Sequence, residues 1–302
     1  MAVQTRFEVR VAVASPALLG ESPMWHPHEQ RLYYCDIPGR KLQRFDPASG
    51  ELVHWNFDTE VASCAPMQGG ALLLGARDGL WRFDPKSGER TRLAEPPYDP
   101  SRERFNDGKC DPQGRFWVGT IYEPREPALA SLHCFSHGKL QRKADGITVS
   151  NGLAWSPNGR TMYWSDTKAH TIYALDFDPA HGAIANRRVF ASFATKQPGQ
   201  SLDAYGGRPD GAAVDAEGCY WSAMFEGQRL LRLSPAGEVV LEVRLPVRCA
   251  TMPCFGGADL KTLYITSARE NRPAEELAQQ PWAGCVLALD VDVPGLPTTL
   301  YA

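Results

Sequence analysis

Residues 149–159, VSNGLAWSPNG, contain the pattern that decides the fold of this chain. A polar residue, Asn151, comes directly before the apolar run Gly152 to Trp155, and a Ser-Pro-Asn-Gly turn ends that run. Proline presets φ for a turn, and asparagine and glycine tolerate positive φ, so this motif favours a reversal of the chain. The aromatic-rich segment 161–166, TMYWSD, is therefore predicted to return as the second strand of an antiparallel pair.

The same unit, a short apolar strand followed by a turn and an aromatic-rich strand, occurs six times along the chain. Successive units are separated by 41, 44, 45, 59 and 41 residues, counted at Trp25, Pro66, Cys110, Trp155, Val214 and Phe255. Repeats of about 40–45 residues made of short strands are typical of the four-stranded blades of a β-propeller. Almost no segment has a helical apolar period, so we predict an all-β chain in which residues 1–302 form one six-bladed β-propeller around a central channel.

Other segments indicate how the ring closes and where it carries loops. The N-terminal segment 7–14 alternates polar and apolar residues, and we expect it to pair with 286–291 and complete the last blade. The polar, Gly-rich segment 194–208 is predicted to lie at the rim of the channel, and 273–280 is the one segment predicted to form a helical turn. Hairpin turns are predicted at four related motifs, at residues 45–51, 83–89, 178–182 and 233–238.

Composition excludes several classes of partner. The formal net charge is −3 and the pI is near 6.2, with lysine and arginine scattered, so no basic stripe is available for nucleic acid. Apolar runs such as 71–74 are far shorter than the roughly 20 residues that span a bilayer, and the N-terminus has no secretory pattern. We therefore expect a cytoplasmic protein with no membrane partner and no obligate protein partner. The eight cysteines form no CxxC pair and are expected to be buried free thiols.

Four polar residues stand at the starts of predicted inner strands, namely Glu21, Asn106, Asn151 and Asp210. The inner strand of each blade lines the channel of a propeller, so these side chains are expected to converge there. Two carboxylates and two amides offer only oxygen, which suits a hard divalent cation such as Ca²⁺, Mg²⁺ or Mn²⁺. Without a cation the two carboxylates would repel each other, and one would hold a proton. A bound cation can polarise a carbonyl and activate water, so the pattern favours hydrolysis of an ester or lactone.

Four motifs, in this order along the chain, resemble the signatures of the regucalcin/gluconolactonase family of sugar lactonases. They are GESP at 20–23, RxNDG at 104–108, SNGLAWSPNG at 150–159 and RPDG at 208–211, and the similarity extends over nearly the whole chain. The resemblance implies a six-bladed propeller that hydrolyses a sugar lactone with one divalent metal ion in the channel. The substrate it implies is gluconolactone, or a pentonolactone such as xylono- or arabinonolactone.

The resemblance also implies roles for individual residues. The residues that match the metal ligands of the family are Glu21, Asn151 and Asp210. Asp210 also matches the general base that activates water, and Arg104 and Asn106 match the pair that contacts the substrate. Glu123 lies beside the position where some relatives have a sugar-contacting acid. Ca²⁺ is the expected ion, with Zn²⁺, Mn²⁺, Mg²⁺ or iron as alternatives.

The same residues allow other interpretations. Taken singly, Asn151 and Asp210 could cap turns or strand ends, and Arg104 could be an ordinary partner in a surface ion pair. The same metal site could serve another esterase or a phosphotriesterase, or the propeller could bind a metal without catalysis. His26 and His28 flank a proline in a tight turn, and we expect them to be exposed rather than metal ligands.

Overall fold

Six four-stranded antiparallel sheets make up the molecule, which is a computed structural model that describes residues 7–302. The first strand, β1 (Arg10–Val13), belongs to the last sheet. The strands of blade 1, from the channel outward, are β2 (Gly20–His26), β3 (Arg31–Asp36), β4 (Lys41–Phe45) and β5 (Leu52–Asn56). Those of blade 2 are β6 (Val61–Pro66), β7 (Leu72–Ala76), β8 (Gly79–Phe83) and β9 (Arg90–Ala94). Those of blade 3 are β10 (Glu103–Cys110), β11 (Phe116–Tyr122), β12 (Ala130–Ser136) and β13 (Lys139–Ile147).

The remaining three blades repeat this arrangement. The strands of blade 4 are β14 (Ser150–Trp155), β15 (Thr161–Asp166), β16 (Thr171–Asp178) and β17 (Ala183–Ser192). Those of blade 5 are β18 (Arg208–Val214), β19 (Tyr220–Phe225), β20 (Arg229–Leu233) and β21 (Val239–Arg244). Blade 6 consists of β22 (Ala250–Gly256), β23 (Thr262–Ser267), β24 (Val286–Asp290) and, outermost, β1. The predicted six-bladed propeller is confirmed, with each predicted strand–turn–strand unit supplying the first two strands of a blade.

The ring closes between blade 6 and blade 1. Strand β1 pairs antiparallel with β24, with Arg10 opposite Ala288, so the chain's N-terminal strand covers the outer edge of the last blade as predicted. The inner strands β2 and β22 contact each other, and Trp25 of β2 stacks on Tyr264 of β23 with ring centroids 5.8 Å apart. Aromatic contacts of this kind bury large apolar area between neighbouring blades and hold the ring together.

The apolar cores lie between adjacent sheets. Trp117 of blade 3 packs edge-on against Trp155 of blade 4, and Trp221 of blade 5 packs against Phe255 of blade 6, at centroid distances of 6.3 and 6.2 Å. All eight cysteines are buried and free, as predicted. The four related turn motifs each connect the third and fourth strands of a blade, which also agrees with the prediction.

One prediction about the histidines is wrong. His26 is buried at the end of β2, and only His28 is exposed. The Nδ1 atom of His26 accepts a hydrogen bond from the amide of Glu29, and burial lowers the pKa of the imidazole. His26 therefore belongs to the structure of the turn, at the far end of β2 from the mouth described below.

Strand direction defines two ends of the channel. Strands alternate in direction, so all six inner strands begin at one end, here called the mouth, and the loops between second and third strands lie there too. Long mouth loops include 123–129, 193–207 and 268–285, so the segment predicted to lie at the rim does so, and it contains a 3₁₀ turn at Leu202–Ala204. The predicted helical turn is α1 (Ala274–Gln279) within the third loop. In residues 7–302, no helix is long and apolar enough to cross a membrane.

Away from the mouth, the channel becomes an apolar cavity of about 140 Å³. Its walls come from later positions of the inner strands, including Met24, Ala154, Met252 and Phe255, and residues 296–299 lie across it. The polar chemistry of the channel is therefore concentrated at the mouth.

Candidate metal centre and active site

The four polar residues that the sequence places at strand starts converge at the mouth. They come from β2, β10, β14 and β18, and the exposed fractions of Glu21, Asn106, Asn151 and Asp210 are 7%, 7%, 3% and 6%. Buried polar groups need partners, because an unpaired one costs free energy. Asn106, Asn151 and Asp210 are hydrogen-bonded to one another, whereas Glu21 accepts from the adjacent amide of Ser22.

A β-bulge in each of these strands lies at the functional residue. In β14, Asn151 is opposite Ser165 and Ala154 is opposite Tyr163, so three steps on the inner strand match two on its partner. The same one-residue excess occurs in β2 between Glu21 and Met24, and in β10 and β18 at the corresponding places. A bulge bends the strand and redirects the side chains beside it. The alternation of a regular strand is thereby interrupted where the polar residues face the channel.

A chain of hydrogen bonds links three blades. The Nη1 atom of Arg104 donates to Oδ1 of Asn106 (2.8 Å), and Nδ2 of Asn106 donates to Oδ1 of Asn151 (2.8 Å). Asn151 in turn donates from Nδ2 to Oδ1 of Asp210 (2.6 Å) and to the hydroxyl of Thr167 (2.8 Å). Arg104 and Asp210, which are 106 positions apart in sequence, are therefore connected through two asparagine side chains.

Glu21 enters the site from blade 1 as a second buried carboxylate. Burial raises its pKa well above the usual range, and the negative charges of Asp210 and Asp107 raise it further. Burial likewise raises the pKa of Asp210 to about 7; the positive charge of Arg208 opposes this shift and the charge of Asp107 adds to it. Three carboxyl groups thus lie close enough to disfavour one another's ionisation.

These residues fit a divalent cation. The carboxylates of Glu21 and Asp210 are buried and mutually repelling, and buried Oδ1 of Asp107 has no hydrogen-bond partner. A cation among oxygen donors would remove the repulsion, and such donors suit hard divalent ions. In this structure Oδ1 of Asn151 accepts from Asn106 and Nδ2 faces Asp210. The amide is therefore at the predicted position, with its oxygen engaged by the neighbouring asparagine.

Glu123 lies at the edge of this group. It is exposed in mouth loop 123–129, and Arg77 donates to its two oxygens at 2.6 and 3.0 Å. The Nε atom of Arg104 is 3.9 Å from Glu123, which connects the loop to the buried chain of hydrogen bonds. The hydrogen bonds from Arg77 lower the pKa of Glu123, so this carboxylate is ionised at neutral pH.

Comparison with known proteins places the chain in a family. The family model described as the SMP-30/Gluconolactonase/LRE-like region matches residues 19–269. The chain belongs to this family. It is 43% identical to 6-deoxy-6-sulfogluconolactonase of Pseudomonas putida, an alignment that covers 97% of this chain and 98% of the relative. It is 36% identical to regucalcin of Gallus gallus, over 94% of this chain and 95% of that protein.

A solved structure agrees with this assignment. The crystal structure of regucalcin from Agrobacterium tumefaciens, described as a calcium-binding protein, superposes with a TM-score of 0.92 at 28% identity and covers all of both chains. The resemblance of the four motifs to the regucalcin/gluconolactonase family is thus confirmed, and the names of the relatives support the predicted lactonase activity. The roles assigned to single residues remain predictions for this member of the SMP-30/gluconolactonase family.

Two charged residues of β10, one buried at position 107 and one half-buried at position 109, were not singled out in the sequence. Asp107 follows Asn106 directly, and its Oδ2 accepts a hydrogen bond from the amide of Leu153 (2.8 Å) in the next blade. Lys109 donates from Nζ to the carbonyl of Ala212 (2.8 Å) across the channel, and burial lowers the pKa of its ammonium group. Asp107 lies in the RxNDG motif and Lys109 directly follows it, so the motif was the sequence signal that could have identified them. A bulge that turns two successive residues inward cannot be recognised from strand alternation.

Proposed function

We propose that this member of the SMP-30/gluconolactonase family is a metal-dependent sugar lactonase that opens a gluconolactone, or a pentonolactone such as xylono- or arabinonolactone, to the aldonic acid. The observation that carries the proposal is the convergence of Glu21, Asn151 and Asp210 at the channel mouth, beside the hydrogen-bonded pair Arg104 and Asn106. Two relatives bearing lactonase and regucalcin names support the same reaction class.

Glu21, Asn151 and Asp210 would hold one divalent ion. Ca²⁺ is our first choice because the donors are oxygen and the superposed regucalcin is described as calcium-binding; Zn²⁺, Mn²⁺, Mg²⁺ and iron are alternatives. When bound, such an ion supplies Lewis acidity that polarises a carbonyl and makes water more acidic. The burial of both carboxylates strengthens their attraction for a cation, since the surroundings screen charge less than bulk water does.

Asp210 is the proposed general base. It accepts a proton from the water that attacks the lactone carbonyl carbon. The bond from that carbon to the ring oxygen then breaks, and the departing oxygen takes up the proton that Asp210 accepted, which regenerates the base. Burial gives Asp210 a raised pKa, which makes it a stronger base than an exposed aspartate, whereas a bound cation opposes that effect. Arg104, Asn106 and Glu123 are proposed to bind the sugar hydroxyls and hold the carbonyl near Asp210. Arg104 has donors beyond the one it gives to Asn106.

The test is pH-stat measurement of the opening of gluconolactone, xylonolactone and arabinonolactone by metal-free protein and by protein reloaded with each ion. We expect hydrolysis above the spontaneous rate only with metal, and a loss of kcat of about 10²-fold or more in Asp210→Asn, because a positioned base contributes on this order. Glu238→Gln, which changes an exposed acid in blade 5, is the control and should match the wild type. If no lactone is opened faster than spontaneously with any ion, the proposal is wrong.

A further inference from the structure

Arg125 occupies a fixed place in the mouth loop 123–129, between blades 3 and 4. Its amide donates to the carbonyl of Tyr122 (2.8 Å), and its own carbonyl accepts a hydrogen bond from Nζ of Lys168 (2.6 Å). Lys168 also bonds Glu126 (2.9 Å), so the loop is attached to blade 4 at two points. The residue has φ +60, a left-handed conformation that an arginine adopts only where its surroundings impose it. The start of its side chain is therefore held at the rim.

Several cationic groups around the mouth are paired with carboxylates, whereas the guanidinium of Arg125 is not. Arg77 pairs with Glu123, Arg208 with Glu226 and Lys168 with Glu126, at 2.6, 3.0 and 2.9 Å. Arg125 is exposed, and among residues 7–302 no carboxylate lies within 4.0 Å of its guanidinium. Among residues 7–302, Arg102, Lys196 and Arg269 of other mouth loops likewise have no carboxylate within 4.0 Å, and Arg125 differs from them in lying two residues beyond Glu123 in the same loop. The guanidinium of Arg125 therefore carries an unpaired positive charge beside the site.

The positive charge of Arg125 affects the pKa values of two carboxyl groups at the site. Burial is the main influence on the pKa of Asp210, and the positive charges of Arg208 and, more weakly, Arg125 act against it. The pKa of Glu123 is lowered chiefly by hydrogen bonds from Arg77, and Arg125 adds to that shift. Coulomb energy falls with distance, which agrees with the place of Arg125 in the same mouth loop as Glu123.

We propose that Arg125 binds an anionic substituent at the end of the sugar remote from the lactone carbonyl, so that lactones carrying a sulfonate, phosphate or carboxylate group there are the preferred substrates. This inference rests on the proposed function, because the proposed roles of the site residues determine how the substrate is oriented. With the carbonyl at Asp210 and the hydroxyls at Arg104 and Asn106, the far end of the sugar points to the rim, two residues beyond Glu123 in the same loop. A guanidinium offers parallel N–H donors that match such oxyanions.

The experiment compares kcat/KM for three lactones with metal-loaded protein: gluconolactone, 6-deoxy-6-sulfogluconolactone and 6-phosphogluconolactone. We expect the anionic lactones to be preferred, and Arg125→Gln to reduce that preference about tenfold or more, as loss of a hydrogen bond to a charged group would. The preference should also weaken with added salt. Comparison of the sulfonate with the phosphate identifies which anion fits.

Arg40→Gln is the matched control. Arg40 lies in the corresponding loop of blade 1 with φ +52, and its guanidinium donates to the carbonyl of Asp58 (3.2 Å), but it is not among the main charges that act on Asp210. It should leave the preference unchanged. Opening of gluconolactone without any preference for the anionic lactones, or an equal preference in Arg125→Gln, would overturn the inference.

A binding measurement keeps this result separate from the proposed function. Calorimetric titration with the sulfonated aldonate and with gluconate does not depend on turnover. Tighter binding of the sulfonated acid by wild type than by Arg125→Gln supports the inference even if no lactone is opened, whereas equal binding by the two proteins contradicts it.

Discussion

The carboxyl groups of Asp210 and Glu21 are expected to differ in protonation between the metal-free and the metal-bound site. Each carboxyl is buried beside the other, and its pKa is raised mainly by burial. In the absence of a cation, protonation relieves the repulsion; in its presence, both groups can ionise and bind it. Metal binding should therefore release protons and strengthen as pH rises. The site is stabilised either by protons or by a metal ion.

The first prediction concerns the stability of the metal-free protein. Asp210 has a pKa of about 7 in the fold and about 3.9 when unfolded, so between these values the folded state binds more protons. Raising the pH through this window therefore lowers the free energy of unfolding, by up to about 1.4 kcal/mol per pH unit for one group. Urea unfolding in the presence of a chelator, at about pH 5 and about pH 7, measures the slope.

Substitution identifies the group responsible for the slope. Asp210→Asn should reduce the slope, because the asparagine does not titrate and the remaining slope comes from groups such as Glu21 whose pKa is also raised, while Glu238→Gln, at an exposed position, should leave it as in wild type. An equal slope in wild type and Asp210→Asn would show that this carboxyl is ionised in the metal-free fold, contrary to the prediction.

At the scale of elements, the bulges of the inner strands give the site its geometry. Asn151 and Gly152 stand where β14 gains one residue over β15, and Gly152 has φ +66. A Cβ at Gly152 would overlap the hydroxyl oxygens of Tyr220 and Ser165. Tyr220 also donates to the carbonyl of Gly152 (2.9 Å), which ties the bulge to blade 5, the blade of Asp210. Glycine at this position is therefore needed for both conformation and space.

The second prediction compares two glycines with similar backbone conformation. Gly138, in a hairpin turn of blade 3, has φ +69 and open space around its missing Cβ. Gly138→Ala should cost about 1–2 kcal/mol of stability for the left-handed conformation alone. Gly152→Ala should cost roughly 1–3 kcal/mol more because of overpacking, and it should also weaken metal binding because Asn151 moves. Equal losses of stability in urea unfolding would mean that the bulge tolerates a side chain.

At the scale of the molecule, the ring of six blades was predictable because each blade is encoded by one repeat of a short, continuous sequence unit. Each blade repeats an apolar strand, a turn and an aromatic strand, and the alternating segment 7–14 matched the free edge of the last blade, where β1 lies. Convergence of Glu21, Asn151 and Asp210 followed from the ring, since inner strands line the channel. Arg104 and Asn106, whose role in binding substrate remains a prediction, are hydrogen-bonded to each other at the mouth.

Other features depend on contacts that a linear pattern does not contain. The burial of His26 follows from packing in its turn, near Tyr33 and Glu29, although a proline follows it in sequence. The inward position of Asp107 follows from a bulge whose extra residue is visible only in the pairing with β11. The ion pair between Glu123 and Arg77 joins the loops of two blades, and its partners are 46 residues apart. The first two features arise within one blade and the third joins two blades, and none of them is specified by the repeat pattern.

The central claim is that Glu21, Asn151 and Asp210 together hold one divalent cation. Calorimetric titration of metal-free protein with Ca²⁺ and Mn²⁺ tests it most directly. We predict one ion per chain in the wild type, and affinity reduced on the order of tenfold or more in each of Glu21→Gln, Asn151→Ala and Asp210→Asn, with Glu238→Gln unchanged. Unchanged affinity in all three site variants would contradict the account.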